Sequence, residues 1–125
     1  LRKGWSAFGK ENRSKIERVV EGWLLSAGVS FESQAVVDFY VVDIKVGSKV
    51  IECHGDYWHA NPSRYPDPST WGKAQRANVH RDKSKATLFA NRGYEMLVLW
   101  ERDIHKNPKE CQARISSFLG VQVHP

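Results

Sequence analysis

Two β-branched runs, residues 41–46 and 49–53, flank Gly47-Ser48, and glycine at the first central position suits a two-residue hairpin turn. With that turn, Val46 pairs with Lys49, Ile44 with Ile51, and Asp43 falls opposite Glu52. Side chains alternate along a strand, so Val42, Ile44, Ile51 and Cys53 share an apolar face while Asp43, Lys45, Glu52 and His54 share a polar one. One face predicts core and the other predicts chemistry.

The pattern extends this hairpin in both directions. Ser14 followed by Glu17 is a capping-box pair, and Ile16, Val20, Trp23, Leu24 and Ala27 recur at helical spacing, predicting a helix over 15–27 that Gly28 closes. On the pattern alone Glu17 caps its own helix. Residues 31–37, 38–46 and 49–54 read as a three-strand meander. The stretch 55–68 carries Pro62, Pro66 and Pro68 and reads as a long loop over the sheet. Ser69 or Thr70 then caps a long helix ended by Arg92-Gly93, on which Trp71, Gln75, Asn78, Asp82, Ala86 and Phe89 share one inward stripe. An inward Asp82 requires a partner: His54 or His59 at the sheet end, or an arginine in an ordinary buried pair. Residues 94–100 (YEMLVLW) read as a central strand reached by a crossover, and Asn107-Pro108 opens a last helix with Ile115, Phe118 and Leu119 inward. The fold class expected is α/β, in the order helix, three-strand meander, helix, strand, helix. Residues 1–12, with Trp5 and Phe8, read as an irregular basic arm ahead of a core over 14–120.

A chain of 125 residues with 41% hydrophobic content fits one globular domain. No apolar run approaches the roughly 20 residues of a membrane helix, and no signal-peptide pattern opens the chain, so the expectation is a cytoplasmic protein with no membrane partner. Leu1 in place of Met reads as a domain cut from a longer chain. Cys53 and Cys111 read as buried thiols in a reducing compartment; there is no Cys/His quartet with zinc spacing. Between Trp71 and Arg92 six bases (Lys73, Arg76, Arg81, Lys83, Lys85, Arg92) face one acid, Asp82, while the remaining thirteen bases and thirteen acids balance. The net charge of +5 is therefore concentrated in one helix, as a phosphate-binding stripe or as a solvated face.

Two carboxylates on one rung, with Cβ atoms roughly 5 Å apart, repel unless a cation joins them or one stays protonated. A hard divalent ion such as Mg²⁺ resolves the conflict where phosphate is the substrate. The alternative is an exposed polar face on which Asp43 pairs with Lys45 or a neighbouring base.

The element order, with Asp43 as the Asp and Glu52-Cys53-His54 in place of E-x-K, resembles the PD-(D/E)xK nuclease superfamily. More closely, His54-Gly55-Asp56-Tyr57-Trp58-His59 is similar to the H-G-x-[FY]-W-H of the very short patch repair endonucleases. Trp71 seven residues before Asn78, Asn78 to Asp82 as N-x-x-R-D, and Trp100-Glu101 extend that resemblance over residues 14–104. The pattern also resembles the EDxHD-type homing endonucleases of phages and introns, with Glu17, Asp43, Cys53, His54 and Asp82 in that order. The resemblance implies that Asp43 and the Cys53 carbonyl hold Mg²⁺, with Glu17 reaching it through water; Glu52, which the repair branch does not require, is a candidate ligand from its place opposite Asp43. It further implies that His54 lies near the scissile phosphate, that His59, oriented by Asp82, positions the attacking water, and that Asn78 supports the site. Tyr57, Trp58 and Trp71 align with aromatics that wedge into DNA, or they pack the loop on the long helix. Lys73, Arg76, Arg81, Lys83 and Lys85 would contact phosphates. Asp56 stands where the repair enzymes carry a zinc-ligating cysteine, so no structural zinc is expected. Together these imply a bacterial or phage-encoded Mg²⁺-dependent endonuclease domain acting on double-stranded DNA, with a further DNA-binding domain in the parent chain. Its rivals are a mismatch-nicking repair enzyme and a catalytically inactive DNA-binding module.

Overall fold

The computed structural model describes residues 13–123, so the arm expected at 1–12 lies outside the described residues. Helix α1 (Lys15–Ser26) begins at the expected capping box: Glu17 N donates to the Ser14 hydroxyl, and the Glu17 carboxylate accepts from Ser14 N. Strands β1 (Glu32–Val37), β2 (Tyr40–Val46) and β3 (Lys49–His54) form the meander. Gly47, at φ 60, takes the left-handed turn position, where a Cβ would strain the backbone. A loop and a short 3₁₀ turn (Pro68–Thr70) lead to α2 (Lys73–Asn91), then β4 (Glu95–Trp100), α3 (Glu101–Lys106) and α4 (Pro108–Leu119).

The sheet is mixed, in the order β1-β2-β3-β4, with β1 to β3 antiparallel and β4 parallel to β3. It is covered on both sides. Ile44, Ile51, Cys53 and Leu99 pack with Ile16, Val20 and Leu24 of α1 and Ile115 of α4. On the other side Ala35, Val37, Val42 and Val50 pack on Phe89 of α2. No described helix is long and apolar enough to cross a membrane.

Five expectations change. Residues 94–100 form an edge strand, not a central one, because β4 pairs only with β3; Arg114 on α4 covers part of that edge by donating to Val98 O at 3.2 Å. Helix α3 was not foreseen, because β4 runs into it with Trp100 itself as the N-cap. The long helix is capped at Gly72, whose N–H donates to the Gln75 side chain, while Asp67 caps the 3₁₀ turn that holds Ser69 and Thr70. On α2 the inward stripe passes through Lys85, and Ala86 is exposed.

The fifth change shapes the molecule. Val42 was expected beside Ile44, yet it packs with Val50 and Phe89 on the opposite side of the sheet. Facing residues of β1 and β2 keep one register throughout, but Gln34, across from Asp43, has φ 50. Both strands therefore turn over together, and the outer half of their hairpin leaves β3 and folds onto α2. There Tyr40 meets Phe89 edge-on at 5.9 Å, and Asp38 pairs with Arg92 at 3.2 Å. The polar face of the first hairpin is consequently lined by α2 instead of open to water.

Phe89 is the anchor of this second core. Phe89→Ala is expected to cost about 3–5 kcal/mol, read as a lower urea midpoint with a nearly unchanged slope.

Candidate active site

The β2–β3 ladder stops at Ile44 and Ile51. One rung further, side chains replace the backbone partners. Asp43 N donates to Glu52 Oε2 at 2.9 Å, and Cys53 N donates to Asp43 Oδ2 at 2.8 Å. The second Glu52 oxygen accepts from Lys85 Nζ at 2.7 Å. Each Glu52 oxygen thus accepts one protein donor, and Glu52 braces the rung against Lys85. Lys85, expected among the outward phosphate-binding bases, is instead buried in this pair.

Glu17 approaches from the first turn of α1. Its Oε1 accepts from Ser14 N at 3.1 Å and its Oε2 from Gln34 Nε2 at 2.6 Å. Helix capping and presentation at the site, weighed above as alternatives, are therefore held by one side chain at once. The cleft these groups line has a volume of about 560 Å³ and also takes in His54, His59 and Trp58.

Burial, followed by the charges of Glu52 and Glu17, pushes the Asp43 carboxyl well above the ordinary aspartate range, against the Cys53 amide and Lys85. Burial likewise raises Glu17, against its bonds from Ser14 and Gln34, with Glu21 adding repulsion. Burial also works to raise Glu52, but His54, Lys85 and the Asp43 amide outweigh it and hold Glu52 below the ordinary range. His54 Nε2 stands 3.8 Å from Glu52 Oε1, beyond hydrogen-bond reach, so Lys85 is the principal partner. The Cys53 thiol is pushed well up by burial and then by Asp43, and its side chain packs in the core with Ile44 and Ile51.

His54, at the end of β3, stacks on His59 with ring centroids 3.9 Å apart, and His59 Nδ1 lies 2.7 Å from Asp82 Oδ2. The partner expected for Asp82 is therefore His59. Donor atoms of His54, His59 and Asp82 all fall within 4.8 Å of one another, a grouping that can hold a metal ion. His54 Nε2 is buried without a hydrogen-bond partner.

The inward stripe of α2 fixes the loop that carries these groups. Gln75 Nε2 donates to Tyr57 O at 2.7 Å and Asn78 Nδ2 to Trp58 O at 2.9 Å, and Asn78 Oδ1 accepts from Arg81. Trp71 Nε1 donates to Tyr65 O at 3.0 Å, which ties the loop to the start of α2. Tyr57 and Trp58 stand at the cleft mouth, 49% and 56% exposed. Lys73, Arg76, Arg81 and Lys83 are exposed on α2.

Reading the sequence did not single out Gln34, Glu101 or His105 for the site, nor Lys85 as part of its interior. Lys85 carried a signal, since Asn78, Asp82, Lys85 and Phe89 follow spacings of four, three and four. Gln34 carried none, because its left-handed backbone is unmarked by glycine.

No family model matches the chain, and no curated protein matches it. Among solved structures it is similar to the catalytic domain of homing endonuclease I-Bth0305I, with a TM-score of 0.63 and 22% identity over 86% of this chain and 97% of that one. The chain has the fold of a homing endonuclease catalytic domain. The likeness concerns the fold and agrees with the homing endonuclease resemblance carried by the motif pattern.

Asp43 and Glu17 line one cleft, where burial and neighbouring carboxylates disfavour their charge, and a hard cation bound there would offset that cost. Because Asp43 titrates higher folded than unfolded, its contribution to stability is complete below the ordinary aspartate range and is lost as pH rises through the raised value. Glu52, held low, works oppositely and is lost as pH falls through its own value. In EDTA, Asp43→Asn is therefore expected to remove part of the fall in Tm between mildly acidic and alkaline pH. A pH series of thermal melts comparing the two proteins checks it; parallel curves refute the electrostatic assignment.

Proposed function

We propose that this chain is a Mg²⁺-dependent DNA endonuclease catalytic domain of the homing type, hydrolysing phosphodiester bonds in duplex DNA. The observation that carries the reading is the opened Asp43–Glu52 rung, which shares one cleft with Glu17 and the stacked His54–His59 pair. Homing endonuclease catalytic domain is also the description of the similar structure.

Asp43 and the Cys53 carbonyl are the groups that would hold Mg²⁺, with Glu17 beside them. When bound, the ion neutralises charge developing on the phosphoryl oxygens. Glu52, fixed by Lys85, holds the Asp43 amide and so sets the position of the Asp43 carboxylate. Asp82 accepts from Nδ1–H of His59, which leaves Nε2 of that ring with a lone pair. His59 is then the base: it takes a proton from water as the water oxygen bonds to phosphorus and the bond to the leaving oxygen breaks. His54, whose buried Nε2 has no hydrogen-bond partner among the described residues, stacks on His59 and supports that ring in the cleft. Tyr57 and Trp58 at the mouth, with Lys73, Arg76, Arg81 and Lys83 on α2, supply stacking and phosphate contacts.

Cleavage of plasmid DNA in Mg²⁺ against EDTA tests this reading. Asp43→Asn is expected to abolish cutting while leaving DNA affinity nearly intact, and His59→Ala to slow it by about 10²–10⁴-fold. Undiminished cutting by Asp43→Asn overturns the site. A strong preference for a T·G mismatch over matched duplex would identify a repair enzyme, and binding without cleavage in any divalent ion a DNA-binding module.

A further inference from the structure

Outside the 71–92 segment the formal charges cancel, but they do not cancel in space. Among the described residues, Glu17, Glu21, Glu52 and Asp56 are buried, against the single buried base Lys85. The bases that balanced them on paper remain outside, and some collect in one place. A groove of about 290 Å³ opens beside the catalytic cleft and shares Tyr57, Glu101 and His105 with it. Arg64 on the loop and Arg102, His105 and Lys106 on α3 line it, and all four are exposed.

Its two acids are turned to structural work. Asp56 Oδ1 accepts from Asn61 Nδ2 at 2.9 Å and from Arg102 N at 3.3 Å, while Glu101 Oε1 accepts from Asp56 N at 3.0 Å. Among the described residues neither acid forms an ion pair with Arg64, Arg102 or Lys106. Tyr57 and Tyr65, edge-on at 6.0 Å, form an aromatic wall. Exposed cations that form no ion pair among the described residues, set beside an aromatic wall and continuous with the cleft, are the footprint of a phosphodiester backbone.

The geometry points to a second DNA-backbone site in this groove, in addition to the α2 bases. Arg64, Arg102 and Lys106 hold phosphates of the strand that continues past the cleft. The inference rests on the nuclease reading for its choice of ligand, and its test is separable from that reading.

The probe is a mixed-sequence DNA duplex, titrated by fluorescence anisotropy across a salt series with the full chain in the Asp43→Asn background. Combined Arg64→Gln, Arg102→Gln and Lys106→Gln is expected to lower the slope of log affinity against log salt by about 0.9 per lost contact, or roughly 2–3 in all. The charge-preserving set Arg64→Lys, Arg102→Lys and Lys106→Arg keeps the slope, which separates loss of charge from damage to the fold; each single Gln substitution lowers it by about one. An unchanged slope in the triple variant overturns the groove, whether or not the wild-type chain cuts DNA. A lowered slope together with a chain that, with Asp43 intact, cuts no DNA in any divalent ion supports the groove and overturns the endonuclease.

Discussion

The structure depends on one exchange of hydrogen-bond partners. Past Ile44 and Ile51, strands β2 and β3 part, and a backbone amide that loses its ladder partner away from water must find another. Asp43 and Glu52 supply it: each carboxylate satisfies the amide of a residue across the gap. The same two side chains that make the rung chemically interesting thus also close the edge that the divergence leaves. Divergence, acidity and cleft are one feature, and none of them forms alone.

This arrangement concentrates negative charge where burial disfavours it, and α2 provides the compensation. Lys85 crosses from the helix to Glu52, His59 leans on Asp82, and Gln75 and Asn78 hold the loop carbonyls. One helical stripe runs from the loop, through the acidic rung, to the second core at Phe89. A lone buried carboxylate costs several kcal/mol, so the pairing with Lys85 is a condition for keeping Glu52 charged in the interior.

Much of this was legible in the sequence. The capping box, the Gly47 turn and strand β3 follow from local patterns, and so does the end of α2 at Gly93. The opposition of Asp43 and Glu52 followed from register arithmetic, and the His59–Asp82 contact from the need of an inward acid for a partner. What escaped is what local pattern does not encode. Apolar content made residues 94–100 look central, but edge or centre is decided by which strand pairs, a tertiary matter. Lys85 was read by residue type as a surface cation, although its stripe pointed inward. Val42 kept its alternation on paper and lost it in space, because the reversal arises at Gln34, a residue with no conformational signature.

Gln34 carries two demands that pull apart. Its backbone sits at φ 50, where glycine is most at ease, while its amide group donates to Glu17 at 2.6 Å. A glycine would ease the bend and release the acid; any branched residue would do neither. At this one position, ease of the main chain and hold on the Glu17 carboxylate at the start of α1 call for different side chains.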